Sequence, residues 1–306
     1  MSNRTPLSRA CLLGLALALA APLAQAVKPA DSATLPAPDA ALQAAIAGSW
    51  RDPANTARDP YRHPGQTLAF FGIRPDMNVV EITPGGGWYS EILAPYLRDD
   101  GKYVAAIVDP AAFEAGRQRD YYQRGKDGLA KKFADGAARF DKAAVVAYDP
   151  KAPSFGAPGS ADMVVTFRNV HNWIGNDSAE GMFKAFFNVL KPGGVLGVVE
   201  HRAADGKDLE SVKDSGYLPT DHVIKLATDA GFNLVEQSEI NANPKDTKDH
   251  EKGVWTLPPS LALKDVDRDK YLAIGESDRM TLRFVKPAGD QIFRQSNDSG
   301  IAGEKK

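Results

Sequence analysis

Cysteine is almost absent from this sequence: the 306 residues contain a single one, Cys11. A disulfide framework and a thiolate metal site both need more cysteines than this. The formal net charge is −2, and no cluster of lysine and arginine stands out, so nothing in the composition supports nucleic-acid binding. Hydrophobic residues make up 43% of the chain and charged residues 25%, which is typical of a globular protein.

Several motifs of known chemistry are missing as well. The five histidines are scattered and do not form the His-Glu-x-x-His pattern of zinc enzymes, so the sequence predicts no metal site. Neither the Gly-x-Ser-x-Gly turn of serine hydrolases nor a P-loop is present. These absences exclude the commonest hydrolase and nucleotide-hydrolysing classes.

The first residues have the pattern of a secretory signal peptide. Arg4 and Arg9 precede an apolar run over 10–23, and Ala24-Gln25-Ala26 follows with small residues at the cleavage positions. This pattern predicts cleavage after Ala26 and a periplasmic or secreted protein without a stable membrane span. An uncleaved N-terminal anchor is the alternative, although the run is short for a membrane-spanning helix.

The remaining chain divides into segments of different composition. We predict a signal peptide over 1–26, a disordered linker over 27–49, a single domain over 50–286 and a flexible tail over 287–306. The linker prediction rests on repeated proline and alanine without a periodic apolar face.

Short apolar runs alternate with helical patterns through the domain. Strands are predicted at 77–82, 103–108, 143–148, 163–167, 195–199, 232–240 and 280–285, and helices at 89–97, 113–133, 179–190 and 221–230. Gly125 is expected to break the second of these helices. The alternation indicates an α/β fold with a doubly wound, mostly parallel sheet. The long charged connection 241–278 is expected to be either functional or partly disordered.

A glycine-rich turn follows the first predicted strand. The strand ends near the carboxylate of Glu81, and the next residues are Ile82-Thr83-Pro84-Gly85-Gly86-Gly87-Trp88. Glycines let the backbone approach a ligand closely, and the following helix offers free N–H groups. Three glycines in a row cost conformational entropy, which favours a ligand site over a purely structural turn. The dinucleotide fingerprint G-x-G-x-x-G fits only in part, because Ser90 stands at the third glycine.

Several segments together resemble one protein family. Glu81-x-Thr83-x-Gly85-x-Gly87 resembles the first motif of class I S-adenosylmethionine-dependent methyltransferases, and Lys191-Pro192-Gly193-Gly194 resembles the motif before their fifth strand. Residues 162–165 resemble their fourth strand, and 278–284 resemble their antiparallel last strand. Over 58–286 the chain resembles a group of predicted exported methyltransferases. The resemblance implies a class I methyltransferase-like Rossmann fold with a seven-stranded, mostly parallel sheet.

The same resemblance implies S-adenosylmethionine as the cofactor. The residues that it places around the cofactor are Glu81, Thr83, Pro84, Gly85, Gly86, Gly87, Trp88, Asp109 and Asp149. Glu81 would accept hydrogen bonds around the methionine amino end, and Asp149 is a candidate contact for the adenine. Ile107 stands where the family usually has its ribose-binding acid, so either Asp109 takes over the ribose or the affinity is reduced.

Polar residues follow the fourth predicted strand, where a doubly wound fold binds its ligands. His171 is the candidate general base, because imidazole groups titrate near neutral pH, and Arg168 and Asn169 are further catalytic candidates. A structural loop histidine is the alternative. Residues of secondary interest are Glu200, His201 and Arg202 after the fifth strand, and Arg58, Arg62 and His63, which either fold over the cofactor or cap a helix.

The leading functional prediction is methyl transfer from S-adenosylmethionine to a small molecule. An Asn-Pro-Pro-Tyr sequence, which resembles enzymes that methylate amino groups of nucleic acids, does not occur. A non-catalytic periplasmic binding module on the same fold is the alternative, favoured by Ile107 and disfavoured by the intact glycine turn. A nicotinamide-dependent oxidoreductase fits less well because of Ser90. Export raises the question of supply, since the cofactor is made in the cytoplasm.

Overall fold

A computed structural model describes residues 36–289 of the chain. The predicted signal peptide, the first part of the predicted linker and almost all of the predicted tail lie outside the described residues. Among the residues that are described, none forms a helix with the length and apolar character needed to cross a membrane.

Seven strands form one central sheet. They are β1 Asn78–Ile82, β2 Lys102–Val108, β3 Ala144–Tyr148, β4 Ala161–Phe167, β5 Leu190–His201, β6 Asn233–Ser238 and β7 Arg279–Val285. Their order in the sheet is β3-β2-β1-β4-β5-β7-β6. The first five strands pair in parallel, and β7 runs antiparallel between β5 and β6. The doubly wound, seven-stranded fold with an antiparallel last strand is therefore confirmed.

Helices cover both faces of the sheet. They are α1 Ala40–Ile46, α2 Pro53–Thr56, α3 Asp59–Arg62, α4 Pro64–Phe71, α5 Ser90–Leu97, α6 Arg117–Asp135, α7 Ala137–Phe140, α8 Val170–Gly175, α9 Ala179–Val189, α10 Leu209–Val212, α11 Thr220–Asp229 and α12 Arg268–Ile274. Neighbouring residues of a strand point to opposite faces, so Val79 packs in the core with Ile92 of α5, and Val80 in the core with Phe183 of α9. The strands are apolar on both faces for this reason.

The ordered structure begins earlier than predicted. Helix α1 lies inside the range 27–49, so the prediction of a disordered linker is wrong for that helix. Asp39 caps the helix by accepting a hydrogen bond from the backbone N–H of Leu42, and the hydroxyl of Tyr96 donates to the same carboxylate over 2.7 Å. Leu42 and Ala45 are buried against the domain, and these long-range contacts leave no trace in the local sequence.

Helix α6 is continuous through Gly125, where a break was expected. One glycine costs a helix about 1 kcal/mol, which the remaining residues of this long helix can offset. The connection 241–278 is also ordered: it contains a short 3-10 helix, Gly253–Thr256, and then α12.

Candidate active site

A cavity of about 340 Å³ opens at the carboxyl ends of the parallel strands. Its walls come from α2 and α3, from the turn after β1, from the ends of β4 and β5, and from the segment that leads into β7. Because β7 is antiparallel, its first residue, Arg279, lies at the same edge of the sheet as His201, the last residue of β5. A volume of this size is typical of a small-molecule site.

Glu81 lies at the base of the cavity, near the end of β1. Its carboxylate is 3% exposed and accepts hydrogen bonds from the hydroxyl of Tyr103, over 2.6 Å, and from that of Ser90, over 3.3 Å. Burial raises the pKa of Glu81 to about 7, although the two hydroxyls act in the opposite direction. A bound cation would favour the ionised form of this carboxylate.

The glycine turn presents bare backbone to the same cavity. Gly85 has a positive φ of 58°, and a Cβ atom added at Gly85 or Gly86 would meet no atom within 4 Å. Thr83 also has a positive φ, of 52°, and its hydroxyl lies 2.8 Å from that of Tyr148. Gly87 differs, since a Cβ there would lie 3.0 Å from Leu129 of α6. Its small size serves packing between the turn and the helix.

The remaining predicted cofactor residues lie in two different places. Pro84 and Trp88 line the cavity. Asp109 and Asp149 do not line it: each carboxylate accepts a hydrogen bond from a backbone N–H two residues later, over 3.0 and 2.8 Å. Ile107 stands at the position expected for a ribose-binding acid, and its side chain is buried in the core. The predicted roles of Asp109 and Asp149 remain predictions.

His171 and Glu200 form a hydrogen-bonded pair where the neighbouring strands β4 and β5 end. The Nδ1 atom of His171 lies 3.0 Å from Oε1 of the fully buried Glu200. The backbone N–H groups of Val170 and His201 donate to the same carboxylate over 2.6 and 2.8 Å, which fixes its orientation. A carboxylate that accepts the Nδ1 proton leaves Nε2 of the imidazole able to accept a proton.

The other two predicted catalytic residues hold the end of β4. Arg168 has a positive φ of 62°, and its backbone N–H donates to the carbonyl of Val199 over 2.7 Å. The side-chain amide of Asn169 donates to the carbonyl of Ile82 and the hydroxyl of Thr166, over 3.0 and 3.1 Å. Asn169 therefore ties the end of β1 to the end of β4, and both residues also line the cavity.

Several arginine side chains in the wall of the cavity converge on one carboxylate. Glu276 forms ion pairs with Arg58, over 2.6 Å, with Arg62, over 3.1 Å, and with Arg279. Burial alone would raise the pKa of Glu276, but these guanidinium groups and that of Arg168 lower it to about 2. Burial, and after it the charge of Arg168, lowers the pKa of Arg62 to about 8. Positive charge is therefore crowded in this wall.

His201 completes a cluster of three groups that are common metal ligands. One ligand atom from each of His171, Glu200 and His201 lies within 4.8 Å of the others. However, both oxygens of Glu200 already accept hydrogen bonds from the protein. Burial, the charge of His171 and the guanidinium groups of Arg279 and Arg168 all lower the pKa of His201. Such surroundings repel a cation, so the cluster is better suited to proton transfer than to metal binding.

The connection 241–278 forms the outer wall of the cavity. Trp255 lies there with Pro258 and Pro259, and its ring centroid is 6.1 Å from that of His171. The buried carboxylate of Asp246 holds the segment by accepting hydrogen bonds from the hydroxyl of Tyr217, over 2.9 Å, and from a backbone N–H at the start of β7, over 2.7 Å. The connection is therefore ordered and lines the cavity, and its functional role stays a prediction.

Sequence reasoning found part of this wall and missed part of it. For Arg58 and Arg62 the sequence allows two roles, a contact with the cofactor or a helix cap, and in the structure both side chains line the cavity. Glu276 and Arg279 were not singled out, because each lies in a stretch of many charged residues. The sequence signal for this pair is that an acid and an arginine stand three residues apart where the last strand begins, a spacing that allows the ion pair observed.

Comparison with known proteins supports the fold. Neither a protein-family model nor a curated protein matches the sequence. The structure is similar to a SAM-dependent methyltransferase from Aquifex aeolicus, with a TM-score of 0.50 and 13% identity over 77% of this chain and 94% of that one. It is also similar to a protein from Galdieria sulphuraria provisionally assigned as a sarcosine dimethylglycine methyltransferase, with a TM-score of 0.51 and 14% identity over 76% of this chain and 85% of that one.

A third similar structure carries a different activity in its name. The [4+2]-cyclase SpnF has a TM-score of 0.51 and 14% identity, and the match covers 83% of this chain and 99% of SpnF. At these identities the similarities show the fold, which is that of the SAM-dependent methyltransferases. A shared fold does not fix the reaction, so function has to be argued from the cavity.

Proposed function

We propose that this chain is an exported enzyme that transfers a methyl group from S-adenosylmethionine to a small molecule, with His171 as the general base. One observation carries the proposal: Glu81 with its bare glycine turn and His171, whose imidazole is hydrogen-bonded to Glu200 behind it, line the same cavity. The first arrangement suits the cofactor and the second suits proton removal from an acceptor.

The residues after β1 fit the cofactor. When bound, S-adenosylmethionine supplies a methyl group on a positively charged sulfur. Glu81 would lie near the positive methionine end, and ionisation of its buried carboxylate would strengthen that attraction. Gly85 and Gly86 leave space into which no protein side chain projects. Trp88 and Tyr89 add apolar surface to the same wall.

His171 performs the proton transfer in this proposal. Nε2 of His171 would accept the proton that the acceptor's hydroxyl or ammonium group loses. The electron pair freed on the acceptor would then form the bond to the methyl carbon as the sulfur–methyl bond breaks, which leaves neutral S-adenosylhomocysteine. Glu200 acts as a positioning residue: it holds Nδ1 over 3.0 Å and stabilises the imidazolium that forms. Positioning of the two reactants in one cavity would supply much of the remaining rate enhancement.

The shape of the cavity favours a small acceptor. Its volume of about 340 Å³ is at the lower end of the range for small-molecule sites, and Trp255 with the two neighbouring prolines covers one side. The predicted signal peptide supports export, and it requires that the cofactor or the loaded enzyme reach the same compartment.

A non-catalytic binding module remains a second candidate, because one specific observation favours it. The usual ribose acid is replaced by the buried Ile107, and Asp109 caps its own turn instead of lining the cavity. A protein of this kind would bind an adenosyl ligand weakly, or another ligand, without turnover.

Calorimetric titration of the mature protein tests the proposal. We expect binding of S-adenosylmethionine and S-adenosylhomocysteine in about the micromolar range and no binding of NAD. A methylated product from a panel of small acceptors would then establish the enzyme. Absence of binding by both adenosyl compounds would contradict the proposed function, and binding without turnover on any acceptor would favour the binding module.

A further inference from the structure

The wall of the cavity carries more positive charge than its carboxylates balance. Four arginines line it, at positions 58, 62, 168 and 279, and the acidic residues that line it are Glu81 and Glu276. Glu81 faces the hydroxyls of Tyr103 and Ser90, so Glu276 is the carboxylate that the arginines share. One carboxylate cannot satisfy the hydrogen-bond donors of this many guanidinium groups.

Two of these guanidinium groups have donors without a partner. The side chain of Arg62 is 3% exposed, yet its Nη2 atom makes no hydrogen bond, and Nη2 of Arg58 is in the same condition. A buried donor without a partner destabilises the protein, and does so more strongly when it is charged. Both residues line the cavity, so rotation of either guanidinium group toward a ligand oxygen there would give this donor a partner.

Arg168 is the arginine closest in sequence to the proposed base. It lies three residues before His171 and directly after the last residue of β4, and its backbone has a left-handed conformation. Among the ion pairs within residues 36–289, the carboxylate of Glu276 contacts the other three arginines and not this one. Arg168 is therefore available to a ligand beside His171.

The proposed cofactor makes the imbalance larger. S-adenosylmethionine has a positive sulfur, an ammonium group and a carboxylate, so it adds net positive charge to the cavity. Its carboxylate can occupy one arginine, and the others still face a cationic neighbour. The arginines and the cationic cofactor therefore both attract a second ligand of negative charge, and both repel one of positive charge.

We propose that the methyl acceptor is a small molecule with an oxyanion group, a carboxylate or a phosphate ester, which Arg168 and Arg62 bind beside His171. This inference rests on the proposed function and names the substrate class of the same site. The planar guanidinium group binds such anions through two parallel hydrogen bonds, so it also orients them. An acceptor held in this way presents its neighbouring hydroxyl or amine to His171.

Anion binding to protein saturated with S-adenosylhomocysteine tests the inference. Benzoate and phenyl phosphate are the probes, and neutral benzyl alcohol is the matched control compound; calorimetry gives the affinities. We expect at least one anion to bind and benzyl alcohol not to bind. Preference between the two anions distinguishes a carboxylate from a phosphate ester.

Variants identify the residue responsible. Arg168→Gln should weaken binding of the anion by about 10- to 100-fold, the usual effect of removing a charged hydrogen-bond donor. Arg168→Lys should restore part of the affinity. Arg98→Gln, at a surface arginine paired with Asp141, is the matched control and should change nothing. Affinity for S-adenosylhomocysteine should stay the same in all three.

Three results would overturn the inference. The probes could fail to bind the loaded protein, benzyl alcohol could bind as well as benzoate, or S-adenosylhomocysteine could displace the anions, which would assign the arginines to the cofactor's own carboxylate. If S-adenosylhomocysteine itself does not bind, the proposed function falls, and the same titrations on the free protein still decide whether Arg168 binds an anion.

Discussion

The imidazole of His171 and the carboxylate of Glu200 meet across two neighbouring strands, with 3.0 Å between Nδ1 and Oε1. The strands β4 and β5 pair in parallel up to Phe167 and Val199, so their next residues emerge at the same edge of the sheet. The pair is thus a direct product of strand register, and it allows the proposed base to be tested separately from the cofactor site.

Substitution His171→Ala should reduce turnover by about 10²–10⁴-fold, the usual contribution of a positioned general base. Affinity for S-adenosylhomocysteine should be unchanged, because Glu81 and the glycine turn provide its contacts. Steady-state kinetics and calorimetry measure the two effects, with His222→Ala in α11 as the control. A lower melting temperature together with weaker cofactor binding would instead indicate a structural histidine, and full activity would remove His171 from the mechanism.

Cofactor affinity should depend on the ionisation of Glu81. Because its pKa is about 7, affinity for S-adenosylhomocysteine should rise between about pH 6 and pH 8 as the carboxylate becomes ionised. Glu81→Gln should bind weakly and show no such rise. Calorimetry across this range measures it, and Glu180→Gln, on the exposed side of α9, should behave like the wild type. A pH-independent affinity in the wild-type protein would contradict the role given to Glu81.

Glu81 should also affect how the stability of the ligand-free protein depends on pH. The folded-state pKa of Glu81, about 7, is above the ordinary value of 4.5, so its contribution to stability is present below pH 4.5 and is lost as pH rises through 7. The free energy of unfolding should therefore fall over this interval by more in the wild type than in Glu81→Gln. Urea denaturation at several pH values measures the difference; parallel profiles would contradict the prediction.

Gly86→Val should abolish binding of S-adenosylhomocysteine and leave the fold intact. A Cβ atom at this position would meet no protein atom within 4 Å, and Gly86 lines the cavity, so the valine side chain would enter the space that we assign to the cofactor. Calorimetry reports the binding and circular dichroism the fold. Gly125→Val, in the exposed helix α6, is the control. Unchanged affinity in Gly86→Val would place the cofactor elsewhere.

Glu276→Gln should destabilise the protein strongly, because it leaves the buried Arg62 and Arg279 without their shared carboxylate. Removing one partner of a buried ion pair costs about 3–5 kcal/mol in the free energy of unfolding. The lowered pKa of about 2 means that this carboxylate contributes stability above pH 4.5 and loses it as pH falls toward 2. Urea denaturation should show both effects. A change no larger than that of Glu210→Gln, at a surface pair, would be inconsistent with this account.

The mature protein should begin at Val27. Ala24 and Ala26 satisfy the small-residue rule for signal cleavage. N-terminal sequencing of protein recovered from the periplasmic fraction or the medium checks this. Recovery of a chain that retains residues 1–26 would contradict cleavage after Ala26 and would favour the uncleaved anchor.

The central sheet could be predicted from the sequence because its inner strands are largely apolar runs, such as β2 and β4. The strand β5 is longer than predicted, from Leu190 instead of position 195, since the turn residues 191–194 continue the pairing: the N–H of Gly193 donates to Lys286 and that of Lys286 to Gly194. Pairing of this kind depends on the partner strand, which local composition does not reveal.

The candidate site was predictable only where it follows a strand. Glu81 and His171 could be found because each stands at or just after the end of a parallel strand. The ion pairs of Arg58 and Arg62 with Glu276 join residues 218 and 214 positions apart. Only the folded chain selects these partners among the many charged residues, so the convergence of the arginines on Glu276 could not be predicted from the sequence.

That wall joins residues near the two ends of the domain. Arg58 and Arg62 precede the first strand, Glu276 lies just before the last strand and Arg279 begins it, and all four line the same cavity. A nascent chain that lacks its final strand therefore has no complete binding site, however well its first strands have formed. Assembly of the complete arginine wall is consequently a late event, because it requires that synthesis and folding have both reached the C-terminal strand.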